Sequence, residues 1–200
     1  GGMIPPLRRA AVTIEFYEIN EDLSLDRQDL ERRLPGAKAL LFIHYFGFPQ
    51  DISYLTSLRK AYGVRLIEDC AHSFLSRVGD QDLGTVGDAT IFSFRKTIPV
   101  TRVGALMLRQ NLPGANTAPA NRVPLSLRGH LARLREHLTF RLGIAPRHLD
   151  QWQQEPVDHP EDRAIFAPGH EGISAINTVL LSRFDYQHII RRRQANFQFL

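Results

Sequence analysis

Three short, largely apolar runs constrain this chain more than any other feature. Ala39–Ile43 is unbroken, Val64–Ile67 is interrupted only by Arg65 before it meets Glu68 and Asp69, and Ala89–Phe94 carries Thr90 and Ser93 before it meets Arg95 and Lys96. Runs of this length and character read as strands buried on both faces of a sheet. The stretches between them have helical spacing. Asp26–Leu34 places Leu30 and Leu34 on one side and stops at Pro35-Gly36, while Asp51 can cap a helix carrying Ile52, Leu55 and Leu58 that ends at Tyr62-Gly63. Val12–Ile19 alternates apolar and polar residues and predicts a first strand; Gly104–Leu108 predicts a last one. Strands and helices alternating through short loops imply an α/β fold, a mostly parallel sheet with flanking helices.

Beyond residue 110 the character changes. Asn111–Pro124 is rich in proline and small polar residues, Leu125–Leu142 is helix-patterned with scattered arginines, and residues 145–171 read as irregular. A final helix is expected from about Ile173, through Ile176, Val179, Leu180 and Phe184, to a solvated tail at Arg191-Arg192-Arg193. The expected division is therefore an α/β core over 1–110, an irregular and helical connection over 111–171, and a terminal helix over 172–200. The single cysteine, Cys70, excludes an internal disulfide and zinc-type Cys-x-x-Cys spacing, which suits a reducing compartment. No apolar run approaches the roughly 20 residues of a membrane helix, and Gly1–Pro6 has no signal-peptide pattern. A cytoplasmic protein without membrane partners is expected. The net charge of +4 is split between −1 in residues 1–100 and +5 in residues 101–200. That excess is small and scattered, so nucleic acid is not an expected partner.

Chemistry in an open α/β sheet sits beyond the carboxyl ends of its strands. One such end delivers Glu68, Asp69 and, just beyond, His72; another delivers Ser93, Arg95 and Lys96. A carboxylate and a lysine on nearby strand ends are the minimum constellation for pyridoxal 5'-phosphate: the lysine condenses with the aldehyde, and the carboxylate keeps the ring nitrogen protonated. The same residues also fit a plain reading, with Asp69 capping the next helix and Lys96 on the surface. His44 reads as a hydrogen-bonded core histidine and Cys70 as a small buried hydrophobe. A metal held by Glu68, Asp69 and His72 is disfavoured because neighbouring strand residues face opposite ways.

The ordered blocks His44-Tyr45-Phe46-Gly47-Phe48-Pro49-Gln50-Asp51, Ile67-Glu68-Asp69-Cys70-Ala71-His72 and Gly84-Thr85-Val86-Gly87-Asp88 through Phe94 resemble the DegT/StrS family of sugar aminotransferases, pyridoxal-phosphate enzymes of fold type I. The resemblance implies the large domain of that fold, incomplete at both ends: a phosphate-binding turn before Gly1 and a small domain after Leu200 are expected in a longer parent. It implies that Asp69 pairs with the pyridine nitrogen, His72 lies beside the ring, Ser93 helps hold the phosphate and Lys96 is the catalytic lysine. Phe94-Arg95-Lys96-Thr97-Ile98-Pro99-Val100 is similar to a variant branch of the family with a shortened strand end, while Arg102-Val103-Gly104 departs from the acidic residue and two glycines that usually follow the lysine in the family. The implied partners are an amino-acid donor, a keto sugar that carries a nucleotide, and a second copy in a homodimer. The rival expectation is a truncated, non-catalytic relative that keeps the sheet as a scaffold or interaction module. A dehydratase of the same family is set aside, because relatives with that chemistry replace the lysine.

Overall fold

The computed structural model describes residues 3–100, 103–109, 135 and 173–199. The chain divides into two compact units, Gly1–Phe16 with Ala118–Ser174, and Tyr17–Thr117 with Ala175–Leu200. In the first, the described structure is chiefly helix α1 (Ile4–Arg9), where Pro5 and Pro6 occupy the first turn and so remove no helical hydrogen bond. The helix expected over 125–142, the irregular stretch over 145–171 and Arg102 lie outside the described residues, apart from Arg135, which is helical.

The second unit is built on a four-stranded sheet of order β1-β2-β5-β6: β1 (Ala39–Ile43), β2 (Arg65–Cys70), β5 (Ala89–Ser93) and β6 (Gly104–Leu108). The first three are parallel and β6 runs antiparallel to β5, so the sheet is mostly parallel. Helices α2 (Arg27–Arg33) and α3 (Ile52–Tyr62) start on aspartate caps, Asp26 accepting from the Asp29 N–H and Asp51 from the Tyr54 N–H. Gly63 ends α3 with φ 66°, the left-handed turn that a glycine adopts without a Cβ clash. Leu30, Leu34, Leu55 and Leu58 from this helical layer pack on Leu40, Phe42 and Leu66 of the sheet to form the main core.

The opposite face of the sheet differs from expectation. Leu41, Ile43 and Ile67 are only half-buried, so the strands are closed on one face and partly open on the other. The first expected strand also fails. Residues 12–18 have no regular structure, and Ile19 makes a single bridge to Leu25. Alternation suits a strand, but a strand exists only with a partner, and here the chain turns back on itself at residues 20–24. The connection from β2 to β5 holds no helix; it carries a small hairpin, β3 (Arg77–Val78) and β4 (Gln81–Asp82).

The expected single terminal helix is two, α4 (Ala175–Arg183) and α5 (Tyr186–Phe199). Asp185 restarts the chain, accepting from the His188 N–H at 2.9 Å. Leu180, Leu181, Phe184, Tyr186 and Ile189 around this break pack on Ile98, Val100 and Val103, a second core directly after Lys96.

Candidate functional site

The register of the sheet decides which side chains meet. Ile43, Asp69 and Ile91 are in register across β1, β2 and β5, as are Phe42, Glu68 and Thr90 one residue earlier. Residues in register share a face, and successive residues alternate. Asp69 and Ser93 therefore lie on the partly open face, and Glu68 lies on the face of the main core.

On the open side, the buried Asp69 accepts from the Ala71 N–H through Oδ1 at 2.9 Å, and its carboxylate has no other hydrogen bond among the described residues. The turn that follows β2 carries His72. From the neighbouring strand, β5 passes through Ser93 directly into a 3-10 turn, Phe94–Lys96. This brings Lys96 Nζ to 2.6 Å from His72 Nε2. Such a contact between two bases requires one proton between them, so the facing nitrogens do not both carry a charge. Lys96 is held below the ordinary lysine range, chiefly by desolvation, with Arg95 adding and Asp69 opposing. His72 is likewise lowered by desolvation and by Lys96, against the pull of Asp69. His72 Nδ1 and Thr97 Oγ1 are buried polar atoms without a protein partner, and the Ser93 hydroxyl makes no capping bond.

The structure thus brings Asp69, His72 and Lys96 together at one edge. Ser93 shares the face, but among the described residues its hydroxyl makes no hydrogen bond to any of the three.

Behind this edge lies a cluster that the sequence reading did not find. Glu68 is fully buried; its Oε1 accepts from His44 Nε2 at 2.9 Å and the Gly84 N–H at 2.7 Å, and its Oε2 accepts from the N–H groups of Val86 and Gly87 at 3.1 and 2.8 Å. Burial pushes the Glu68 carboxyl up, but the bonds from His44, Gly87 and Gly84 outweigh it and leave it below its ordinary value. A Cβ on Gly87 would stand 2.6 Å from the Ala89 carbonyl oxygen and 2.8 Å from Glu68 Cβ, so only glycine fits against the carboxylate. His44, Glu68 and Cys70 place one donor atom each within 4.8 Å of one another. Those donors are already engaged: His44 Nδ1 accepts from the Gln50 N–H, and burial pushes the Cys70 thiol up to about 12, which keeps it protonated. The signal available in the sequence was a glutamate inside β2 facing a loop with two glycines.

The fold defines a class, a mostly parallel α/β sheet that brings a carboxylate and a lysine to the carboxyl ends of adjacent strands. The chain belongs to the DegT/DnrJ/EryC1/StrS aminotransferase family, whose model matches residues 7–111. It is 33% identical over 91 residues to the GDP-perosamine synthase of Escherichia coli O157:H7, covering 44% of this chain and 25% of that protein. It is 26% identical over 199 residues to the dTDP-3-amino-3,4,6-trideoxy-alpha-D-glucose transaminase of Micromonospora megalomicea subsp. nigra, covering 86% and 53%. Among solved structures, Helicobacter pylori PseC, an aminotransferase involved in the biosynthesis of pseudoaminic acid, matches at a TM-score of 0.46 and 25% identity, covering 51% of this chain and 28% of that one. The matches span from about a quarter to about half the length of these curated relatives. No described helix is long and apolar enough to cross a membrane.

Proposed function

We propose that this chain carries part of the active site of a pyridoxal-phosphate-dependent aminotransferase, which moves an amino group from an amino acid to a nucleotide-linked keto sugar. The observation that carries the reading is the contact of Lys96 Nζ with His72 beside Asp69, on the open face of the sheet. The donor set suits the cofactor: an amine below its ordinary basicity, a carboxylate with hydrogen-bonding capacity to spare, a hydroxyl at the adjoining strand end, and buried polar atoms on His72 and Thr97 that lack partners. Lys96 would hold the cofactor, Asp69 would face its ring nitrogen, His72 would support the ring, and Ser93 would contribute to phosphate binding. When bound, pyridoxal phosphate supplies an electron sink that lets a carbon next to the amino nitrogen give up its proton. Lys96, held below the ordinary lysine range chiefly by desolvation, is the base placed to take that proton and return it. His72 holds the amine in place and shares its proton. The same reading, through the family resemblance, assigns a homodimer and a cytoplasmic setting.

The test compares the parent chain with Lys96→Ala after incubation with pyridoxal phosphate, dialysis and borohydride reduction. A visible absorption band in the parent, and reduced cofactor on the peptide containing Lys96, are expected; the variant should have neither. A parent that stays colourless and unlabelled overturns the reading for this chain and favours a scaffold or interaction role.

A further inference from the structure

Phe46 adopts a conformation that its own sequence does not favour. It sits at φ 55° and ψ 15°, in the left-handed region, where a side chain with a Cβ is strained against the following carbonyl. Its ring is 71% exposed and belongs to neither hydrophobic cluster, so core packing does not account for the strain. What this conformation does achieve is a stacked contact with the imidazole of His72, ring centroids 5.8 Å apart and planes inclined by 10°.

The loop is held at both ends. His44, just before it, is tied to Glu68 and to the Gln50 N–H. Just after it, a Cβ on Gly47 would lie 3.1 Å from the His72 carbonyl oxygen and 3.2 Å from Ser76 Oγ, so the backbone lies close against the turn that carries His72. The Phe48 N–H donates to the Tyr45 carbonyl and closes the turn. On its far side the same imidazole presents Nε2 to Lys96, while Nδ1 has no partner. No hydrogen bond to protein anchors the ring from its other nitrogen, and the face of Phe46 supplies the missing restraint.

We propose that Phe46 is a positioning residue: its ring fixes the imidazole of His72 so that Nε2 faces the amine of Lys96. This rests on the reading of Lys96 as the cofactor-bearing lysine only for its biological meaning; the contact itself is a property of the chain. The groups facing the Lys96 amine are His72, Asp69 and Arg95. Of these, His72 is the one whose orientation Phe46 controls.

The experiment labels the full chain with acetic anhydride across pH 6–11, without cofactor, and reads each lysine by peptide mass. Lys38 and Lys60, both exposed and the only other lysines, serve as internal references. In Phe46→Ala the loosened imidazole no longer covers the amine from water, the chief cause of its lowered basicity, so labelling of Lys96 near neutral pH should fall about threefold relative to those references as its profile moves toward higher pH. Phe46→Tyr keeps a stacking face and should retain the parent profile. In a His72→Ala background, Phe46→Ala should have no further effect. Circular dichroism melts check that each variant is folded, which is expected because the ring is exposed. A parent-like Lys96 profile in Phe46→Ala, or an equal shift with and without His72, overturns the proposal. Cofactor binding is scored separately, so a chain that binds no pyridoxal phosphate but shows the Phe46-dependent shift refutes the functional reading and leaves the positioning role standing.

Discussion

Glu68 takes both carboxylate oxygens out of water and gives each of them at least two donors, from His44 and from the backbone at Gly84, Val86 and Gly87. Because His44 Nδ1 accepts from the Gln50 N–H, the ring proton that reaches Glu68 sits on Nε2. One side chain therefore ties the end of β1, the end of β2 and the loop before β5 together, immediately behind Asp69. An unpaired buried N–H costs about 1–3 kcal/mol, and a glutamine at this position would turn its own NH₂ toward donors. Glu68→Gln is thus expected to destabilise the chain by about 3 kcal/mol, read as a lower urea midpoint at pH 7. The sign with pH follows from the direction of the shift. The folded carboxyl lies below its ordinary value, so its stabilisation is present at neutral pH and is lost as acid protonates it, and the two proteins should converge at low pH. A parent-like midpoint at pH 7 would mean that the loop over 84–87 finds other acceptors.

Elements whose start, period and stop coincide locally were readable from the sequence. For α3 these are Asp51, the Ile52–Leu55–Leu58 stripe and Gly63; for β1 the unbroken apolar run suffices. Elements decided by distant residues were not. Val12–Ile19 has the alternation of a strand, yet among the described residues only Ile19 pairs, in one bridge to Leu25, and the connection over 71–88 takes its shape from Glu68, reaching it from 16 to 19 residues away. At the candidate site, the placing of Asp69 and Ser93 near strand ends was legible, whereas the Phe46–His72 contact joins two loops with no period to reveal it. Helix α2 was legible as an element, but not its electrostatics. Asp29 bonds to Arg33, the Glu18 N–H and Arg32, which draw its carboxyl from an ordinary 3.8 down to about 2. A folded value below the unfolded one means that the contribution is complete above about pH 4 and disappears as pH falls toward 2. Asp29→Asn should therefore melt below the parent at pH 6 and approach it near pH 2. Parallel melting curves across that range would show that the pairing does not stabilise the fold.

Across the molecule, two hydrophobic clusters that share no residue support different halves of the candidate site. The main core, through Phe42 and Leu66, backs the strands that carry Asp69 and Ser93 near their carboxyl ends. The second core, through Ile98 and Val100, anchors the segment that leaves Lys96 and binds it to the α4–α5 break. Damage to the two should then read out differently. Leu55→Ala and Ile98→Ala each empty a nearly fully buried site and should each cost about 3 kcal/mol. The clusters share no residue, so their effects on stability should add in the double variant. At a temperature where circular dichroism finds every variant folded, only Ile98→Ala should release Lys96 from His72, and its anhydride labelling near neutral pH should fall toward that of Lys38 and Lys60. Leu55→Ala should leave that labelling at the parent level, because the strand ends keep their register even when the layer beneath is loosened. Equal loss of labelling in both variants would mean that the edge of the sheet responds as one body. The reactivity of Lys96 would then report global stability, and its environment would not be an independently supported part of the fold.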